Sequence, residues 1–267
     1  MSEGEVNLFY IAYSEATRLA MPSGYQLLDN IDSTKNDWRE YWPIRNFFKN
    51  NKLVEDQWYG FFSPRFQEKT GLLAVDVKNF ILAGQQNFDV ATFSPQPDMG
   101  AFFLNIFEQE ELFQPGFIQA SSDFFTAIGL DLKLQDLIMD SRQIVFSNYF
   151  VARPAFWRRW LELNDQLFDI CEGAASELQS ALTWSTAYPG AVQRKVFLME
   201  RIASFILTVE PAWQVKAYNT FDCAWSASRL NQFRDEAVLS DALKIAMKEQ
   251  GFHHYIEAFG RLREKLR

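Results

Sequence analysis

The sequence predicts an α/β fold whose last third is mainly helical. Three observations carry that expectation. Strand-like apolar runs alternate with helix-like patterns up to residue 152, and beyond 153 helical spacing dominates. Of the 267 residues, 48% are hydrophobic against 22% charged, enough for a substantial core. With no internal repeat, low-complexity segment or linker, residues 1–267 read as one domain, an α/β core over 1–152 and a helical part over 153–267.

The elements follow in order. Residues 6–13 form a continuous apolar and aromatic run, the pattern of a strand buried on both faces. Residues 14–35 are polar and broken by Pro22 and Gly24, which predicts loop with at most a short turn of helix. Asn36 or Asp37 can cap a helix carrying Trp38, Tyr41, Trp42, Arg45 and Phe48, with Pro43 as a kink or a new start. A second strand spans 57–63 and stops at Pro64; a helix over 75–83 and a third strand over 88–93 follow.

Residues 94–100 then form the clearest loop, with two prolines and a glycine at the carboxyl end of a strand, where α/β sheets hold ligands. Residues 102–113 read as helix, and Ser121 and Ser122 as the cap of another. A strand over 144–152 leads to a helix with Pro154 at its first position, extending past Gly173. Tyr188-Pro189-Gly190 is a turn before a helix bearing Val192, Val196, Met199, Ala203 and Ile206 on one side. Residues 213–218 predict a further strand, and the rest is helical.

Composition narrows the function. Lys and Arg number 26 against 34 Asp and Glu, a net charge of −8, which disfavours a nucleic-acid partner whose affinity would rest on cations. Cys171 and Cys223 are too few for a disulfide framework or a zinc site. The acidic start, Met1 to Glu5, is unlike a signal peptide, and no apolar run reaches membrane-spanning length, so the expectation is a soluble, cytoplasmic protein. Aromatic residues at 16% invite a sugar-stacking role, but core filling explains most of them.

Several chemistries lack their motifs. There is no P-loop, no G-x-G-x-x-G after the first strand and no G-x-S-x-G elbow. The two histidines, His253 and His254, are adjacent, so on a helix they diverge by about 100° and cannot share a metal as an i, i+4 pair. Acid–base work then falls to carboxylates or tyrosines.

Three segments together carry a resemblance. They are Tyr59-Gly60-Phe61-Phe62-Ser63-Pro64-Arg65-Phe66-Gln67-Glu68-Lys69-Thr70-Gly71; Asp89-Val90-Ala91-Thr92-Phe93-Ser94-Pro95 with Asn105-Ile106-Phe107-Glu108-Gln109-Glu110-Glu111 and Gln114-Pro115-Gly116; and Ser147-Asn148-Tyr149-Phe150-Val151-Ala152 with Val196-Phe197-Leu198-Met199-Glu200-Arg201. In this order, over about residues 6–210, the chain resembles the small glycosyltransferase-like proteins of bacterial capsule and lipopolysaccharide clusters. The resemblance implies a GT-A-like (Rossmann-like) mixed sheet flanked by helices, binding a nucleotide-sugar donor and a glycan or lipid-linked acceptor. It also implies Mn2+ or Mg2+ bridging the donor diphosphate, yet the Asp-x-Asp motif that holds such an ion is absent from the whole chain. Either cations replace the metal, or the chain is a binding or assembly protein that keeps the fold without catalysis.

Charge chemistry then selects candidates. The leaving diphosphate needs cations, which points to Arg65 and Lys69, then Arg153 and Arg201. A carboxylate must take the acceptor's proton: Asp98 first, then Asp89 and Glu108. Ser63, Asn105 and Asn148 join the substrate-binding set from the resembling segments. Each has a plainer reading as a turn, cap or core residue, and Glu200-Arg201 in an apolar helix reads equally as a buried ion pair. A hydrolase of sugar phosphates or glycosides would need a close carboxylate pair that spacing alone does not reveal. Finally, Phe252, Tyr255, Ile256, Phe259, Leu262 and Leu266 line one side of the last helix, with Arg261, Arg263, Lys265 and Arg267 at its tail. That pattern fits either peripheral contact with an anionic inner membrane or a helix docked on the core.

Overall fold

The computed structural model describes residues 4–83 and 87–266; Met1 to Glu3 of the acidic start and Arg267 of the basic tail lie outside it. Among the described residues six strands form one mixed sheet flanked by helices. Along the chain come β1 (Val6–Ala12), α1 (Glu15–Leu19), β2 (Gln26–Asp29), α2 (Tyr41–Asn50), β3 (Trp58–Phe62), α3 (Phe66–Thr70), α4 (Ala74–Leu82) and β4 (Val90–Thr92). Then follow α5 (Pro97–Ala101), α6 (Ile106–Phe113), α7 (Phe117–Ala127), β5 (Phe150–Ala152), α8 (Pro154–Glu172), α9 (Glu177–Leu182) and α10 (Arg194–Val209). The chain ends with β6 (Val215–Ala217), α11 (Arg234–Gln250) and α12 (His253–Glu264).

The sheet order is β2-β1-β3-β5-β4-β6. β2, β1 and β3 are parallel, as are β4 and β6, while β5 is antiparallel to both its neighbours, β3 and β4. Alternation sorts the side chains between two cores. Phe9, Ile11, Tyr59, Phe61, Val90 and Phe150 face the larger one, against Trp38, Tyr41 and Ile44 from the α2 side, Trp157 and Trp160 of α8, and α10. Leu8, Trp58, Phe62, Ala91 and Val151 face the smaller, covered by Phe66 of α3 and Val77 and Ile81 of α4. Gly60 is needed at the centre, because a Cβ there would meet Val151 Cγ2 at 2.6 Å and Leu8 Cδ2 at 3.2 Å.

The departures from expectation have local causes. β2 falls in the stretch expected to be loop; it is an edge strand whose side chains are mostly exposed, so it carries no apolar pattern. The strand expected over 144–152 shrinks to three residues because Ser147 (φ 59°) and Asn148 (φ 54°) turn the backbone into the left-handed region. Pro43 marks a new start, α2 beginning at Tyr41 after the 3₁₀ turn at Asn36–Trp38. Asn105 delays the helix expected from 102, its Oδ1 accepting from the backbone N–H groups of Phe107 and Glu108 at 2.9 Å each. Ser121 and Ser122 cap nothing: α7 starts earlier, at Phe117 after the left-handed Gly116, and Ser121 is buried inside it. α8 ends at Glu172 rather than passing Gly173.

The last helix docks on the core. Phe259 and Leu266 of the C-terminal segment are buried, and Leu262 packs on the cluster of Ala101, Phe102 and Phe103. Of the side expected to meet a membrane, Phe252 and Ile256 are left exposed. Among the described residues no helix is long and apolar enough to cross a membrane.

Candidate functional site

A cleft of about 580 Å³ opens at the carboxyl edge of the parallel strands. Tyr13 enters it just beyond β1, Ser63, Pro64, Arg65 and Lys69 after β3, and Gln96 and Met99 after β4. β5 runs the other way, so it contributes what precedes it, Phe146 and Ser147. Helix α10 crosses the opening with Val196, Phe197, Glu200 and Arg201, and Arg39 and Glu40 arrive from the turn before α2.

The backbone is strained around this cleft. Among the described residues the non-glycine positions with positive φ are Arg39, Gln96, Ser147, Asn148 and Ala191. The first three line the cleft; Asn148 adjoins Ser147, and Ala191 adjoins the lining Val192. Each such residue costs about 1–3 kcal/mol and persists only where its surroundings hold it, so their convergence singles out this region.

The electrostatics converge as well. Glu40 and Glu200 are half-buried carboxylates. Burial pushes Glu200 up to about 7, with the Glu40 charge adding to the effect and Arg201 and Lys69 opposing it. Burial raises Glu40 too, against its own backbone N–H, Lys69 and Arg39. Lys69 faces both carboxylates; burial lowers its ammonium while Glu200 and Glu40 resist. Its Nζ donates to Ser147 Oγ at 2.8 Å, tying α3 to the turn before β5. Ser63 Oγ and the Tyr149 hydroxyl, 2.7 Å apart, reinforce that tie. The buried Tyr13 hydroxyl lies beside Glu40, and burial followed by the Glu40 charge pushes its pKa well up.

Of the residues expected from sequence, Ser63, Arg65, Lys69 and Arg201 meet in this cleft. Arg65 is exposed and holds Glu68 through two hydrogen bonds of 3.1 and 2.7 Å. Arg201 is 3% exposed and fully engaged, donating to Ile106 O, Phe197 O, Gln109 Oε1 and the Glu110 carboxylate. It is a pin under the cleft floor, with its ion pair to Glu110 rather than to Glu200.

The other candidates lie elsewhere. Asp98 is 0% exposed, its carboxylate accepting from the backbone N–H of Ser226 at 3.0 Å and from the Ser226 hydroxyl. The reason is α5, which replaces the expected loop and turns Asp98 inward. Asp89 and Arg153 sit at the opposite sheet edge. Asp89 precedes β4 and accepts from Gln214 N–H at 2.9 Å. Arg153 follows the reversed β5, donates to Asp56 O and lies 4.0 Å over the Trp58 ring. Glu108 accepts from Leu104 N–H and Arg263, both at 2.7 Å. Asn105 is the buried α6 cap described above, and Asn148 is buried with its Nδ2 on Met199 Sδ at 3.2 Å. Sequence reasoning passed over Glu40, Tyr13, Arg39, Gln96 and Tyr188. Glu200 did carry a signal, a carboxylate in the almost wholly buried α10.

Replacing Asp98 tests this placement. Asp98→Ala should cost about 1–3 kcal/mol by stranding buried Ser226 donors, while folded protein keeps its ligand binding. Loss of nucleotide binding at full folding, by calorimetry, would return Asp98 to the site.

The described residues build no all-protein site for Mn2+ or Mg2+. Among the described residues no three His, Cys, Asp or Glu side chains converge. Of the cleft carboxylates, Glu110 is taken by Arg201, while Glu40 and Glu200 feel the Lys69 charge without an ion pair to it.

The chain matches no protein-family model and no curated protein. Among solved structures it is similar to the apo form of the bifunctional glycosyltransferase WbbM, at 13% identity and a TM-score of 0.44. The similarity covers 80% of this chain but 44% of that one, so the chain spans under half the length of that protein.

Proposed function

We propose that the chain is a glycosyltransferase that binds a nucleotide-sugar donor in this cleft and passes the sugar to a glycan or lipid-linked acceptor, in bacterial surface-polysaccharide synthesis as the resemblance implies. One observation carries the reading: two half-buried carboxylates facing a lysine at the carboxyl edge of the sheet, inside a ring of strained backbone. In the transfer, the bond from the sugar's anomeric carbon to the diphosphate breaks and the electron pair leaves with the diphosphate. The acceptor oxygen forms the new bond, and its proton passes to a carboxylate. Lys69, Arg65 and Arg39 supply cations for the leaving group. Glu200, whose carboxyl titrates near neutrality, is suited to receive the proton, with Glu40 beside it. A second hollow, about 560 Å³, shares Thr17, Ser63 and Pro64 with the cleft, and the half-buried Tyr25 in its wall offers aromatic surface for a base.

Thermal melting with UDP, GDP, CMP or dTDP tests the reading. One nucleotide should raise the melting temperature, with stabilisation of about 2.7 kcal/mol at 100 times its Kd, with or without Mg2+ or Mn2+. Lys69→Ala should abolish the shift. If no nucleotide stabilises the protein the reading fails, and binding without turnover of any nucleotide-sugar would favour an assembly protein instead.

A further inference from the structure

The cleft has two chemically different sides. The β3 side is ionic and polar, with Ser63, Arg65 and Lys69. Another part of the lining is apolar and aromatic, with Tyr188, Val192, Val196 and Phe197, and Tyr188 is near enough for its charge to act on Arg65. Glu200 lines the same cleft. It lies on α10 one turn beyond Val196 and Phe197, and its carboxylate responds to the Lys69 charge.

The aromatic side is presented by a small hairpin. Ser185 and Gln193 form an antiparallel bridge, Thr186 N–H donates to Val192 O at 3.0 Å, and Arg194 N–H donates to Trp184 O at 2.9 Å. The turn puts Gly190 beside Arg39, since a Cβ built there would lie 3.8 Å from Arg39 Nη2. Tyr188 packs edge-on against Phe197, with centroids 5.6 Å apart, and is nevertheless 55% exposed. A tyrosine held from behind and open in front costs little conformational entropy when a ring is laid on it. The axial C–H face of a pyranose is apolar and flat enough to stack there, while its hydroxyls point outward towards the carboxylate.

Resting on the glycosyl-transfer reading, we propose that Tyr188, backed by Phe197 and held by the 185–193 hairpin, is the platform on which the acceptor's pyranose ring stacks, placing an acceptor hydroxyl towards Glu200. The donor diphosphate is then left to the cations Lys69, Arg65 and Arg39, the last of which borders the hairpin. Tyr188 therefore sets acceptor affinity without contributing to donor binding.

Saturation-transfer NMR with the methyl α- and β-pyranosides of glucose, galactose and mannose, tested singly, examines this directly. Protein irradiation should saturate the ring C–H protons of at least one glycoside. The signal should persist in Tyr188→Phe and fall in Tyr188→Ala, with affinity about fivefold weaker, the scale of one lost stacking contact. Because Tyr188 is exposed, both variants should melt with the parent protein. In the same samples nucleotide stabilisation should be unchanged by Tyr188→Ala. No glycoside signal, or one indifferent to Tyr188→Ala, overturns the platform. Tyr188-dependent glycoside signals without any nucleotide shift would leave the platform standing and sink the donor reading, so the two failures are distinguishable.

Discussion

Glu200→Gln should lower sugar transfer by about 10²–10⁴-fold, the usual contribution of a positioned base, while making the protein more stable at alkaline pH. Both effects follow from one cause. The carboxyl is pushed from its ordinary 4.5 to about 7, so the folded chain holds that proton more tightly than the unfolded one. Stability from this group is thus fully present below about pH 4.5 and lost as pH rises through about 7. A glutamine cannot ionise and is spared that loss. Melting curves of variant and parent should agree near pH 4.5 and separate by pH 8, on the order of 1–2 kcal/mol in favour of glutamine. In the parent, kcat/KM should rise with pH and level off above about 7, as a base must be deprotonated to act. Full activity in Glu200→Gln would remove this residue from the chemistry.

Arg201→Met should destabilise the chain more than any other single change considered. The guanidinium satisfies Ile106 O, Phe197 O and Gln109, and it is the ion-pair partner of buried Glu110. Removing it leaves that carboxylate uncompensated, at about 3–5 kcal/mol. Against the 5–15 kcal/mol that hold a typical domain together, this is a large fraction, and melting should fall by roughly 6–15 °C. Adding Glu110→Gln should recover part of the loss, because a neutral amide is far cheaper to bury. A melting point within about 2 °C of the parent in Arg201→Met would mean that the pair is well solvated.

What could be read from the chain depended on where the side chains go. β1, β3 and α8 were legible because their apolar residues face a core at the expected periods. β2 was not, because it joins the sheet through its backbone while its side chains stay outside. The site was half legible. Ser63, Arg65 and Lys69 follow a readable strand that ends at the cleft. Arg153 was misplaced because strand direction leaves no mark on a three-residue apolar run, and β5 runs backwards. Asp98 was misplaced by a helix too short to show a period. Arg39 and Glu40 reach the cleft only because Arg39 adopts φ 46°, a choice no side-chain pattern encodes.

The reversed strand also governs how the fold can be assembled. β2-β1-β3 and β4-β6 are two parallel half-sheets, and the three residues of β5 are what join them in the backbone ladder. β3 can pair with β1 early, but β5 must close back onto strands laid down well before it in the chain. Such non-local closure is entropically expensive and slow. β5 is thus the keystone: until Phe150, Val151 and Ala152 are seated, the cleft has neither its β5 wall nor a fixed distance between its two sides. A folding intermediate with both half-sheets formed and the keystone missing would carry the cationic loop after β3 without a working site. Such a species would also expose the edges of β3 and β4, which makes this seam the place where misassembly between copies would begin.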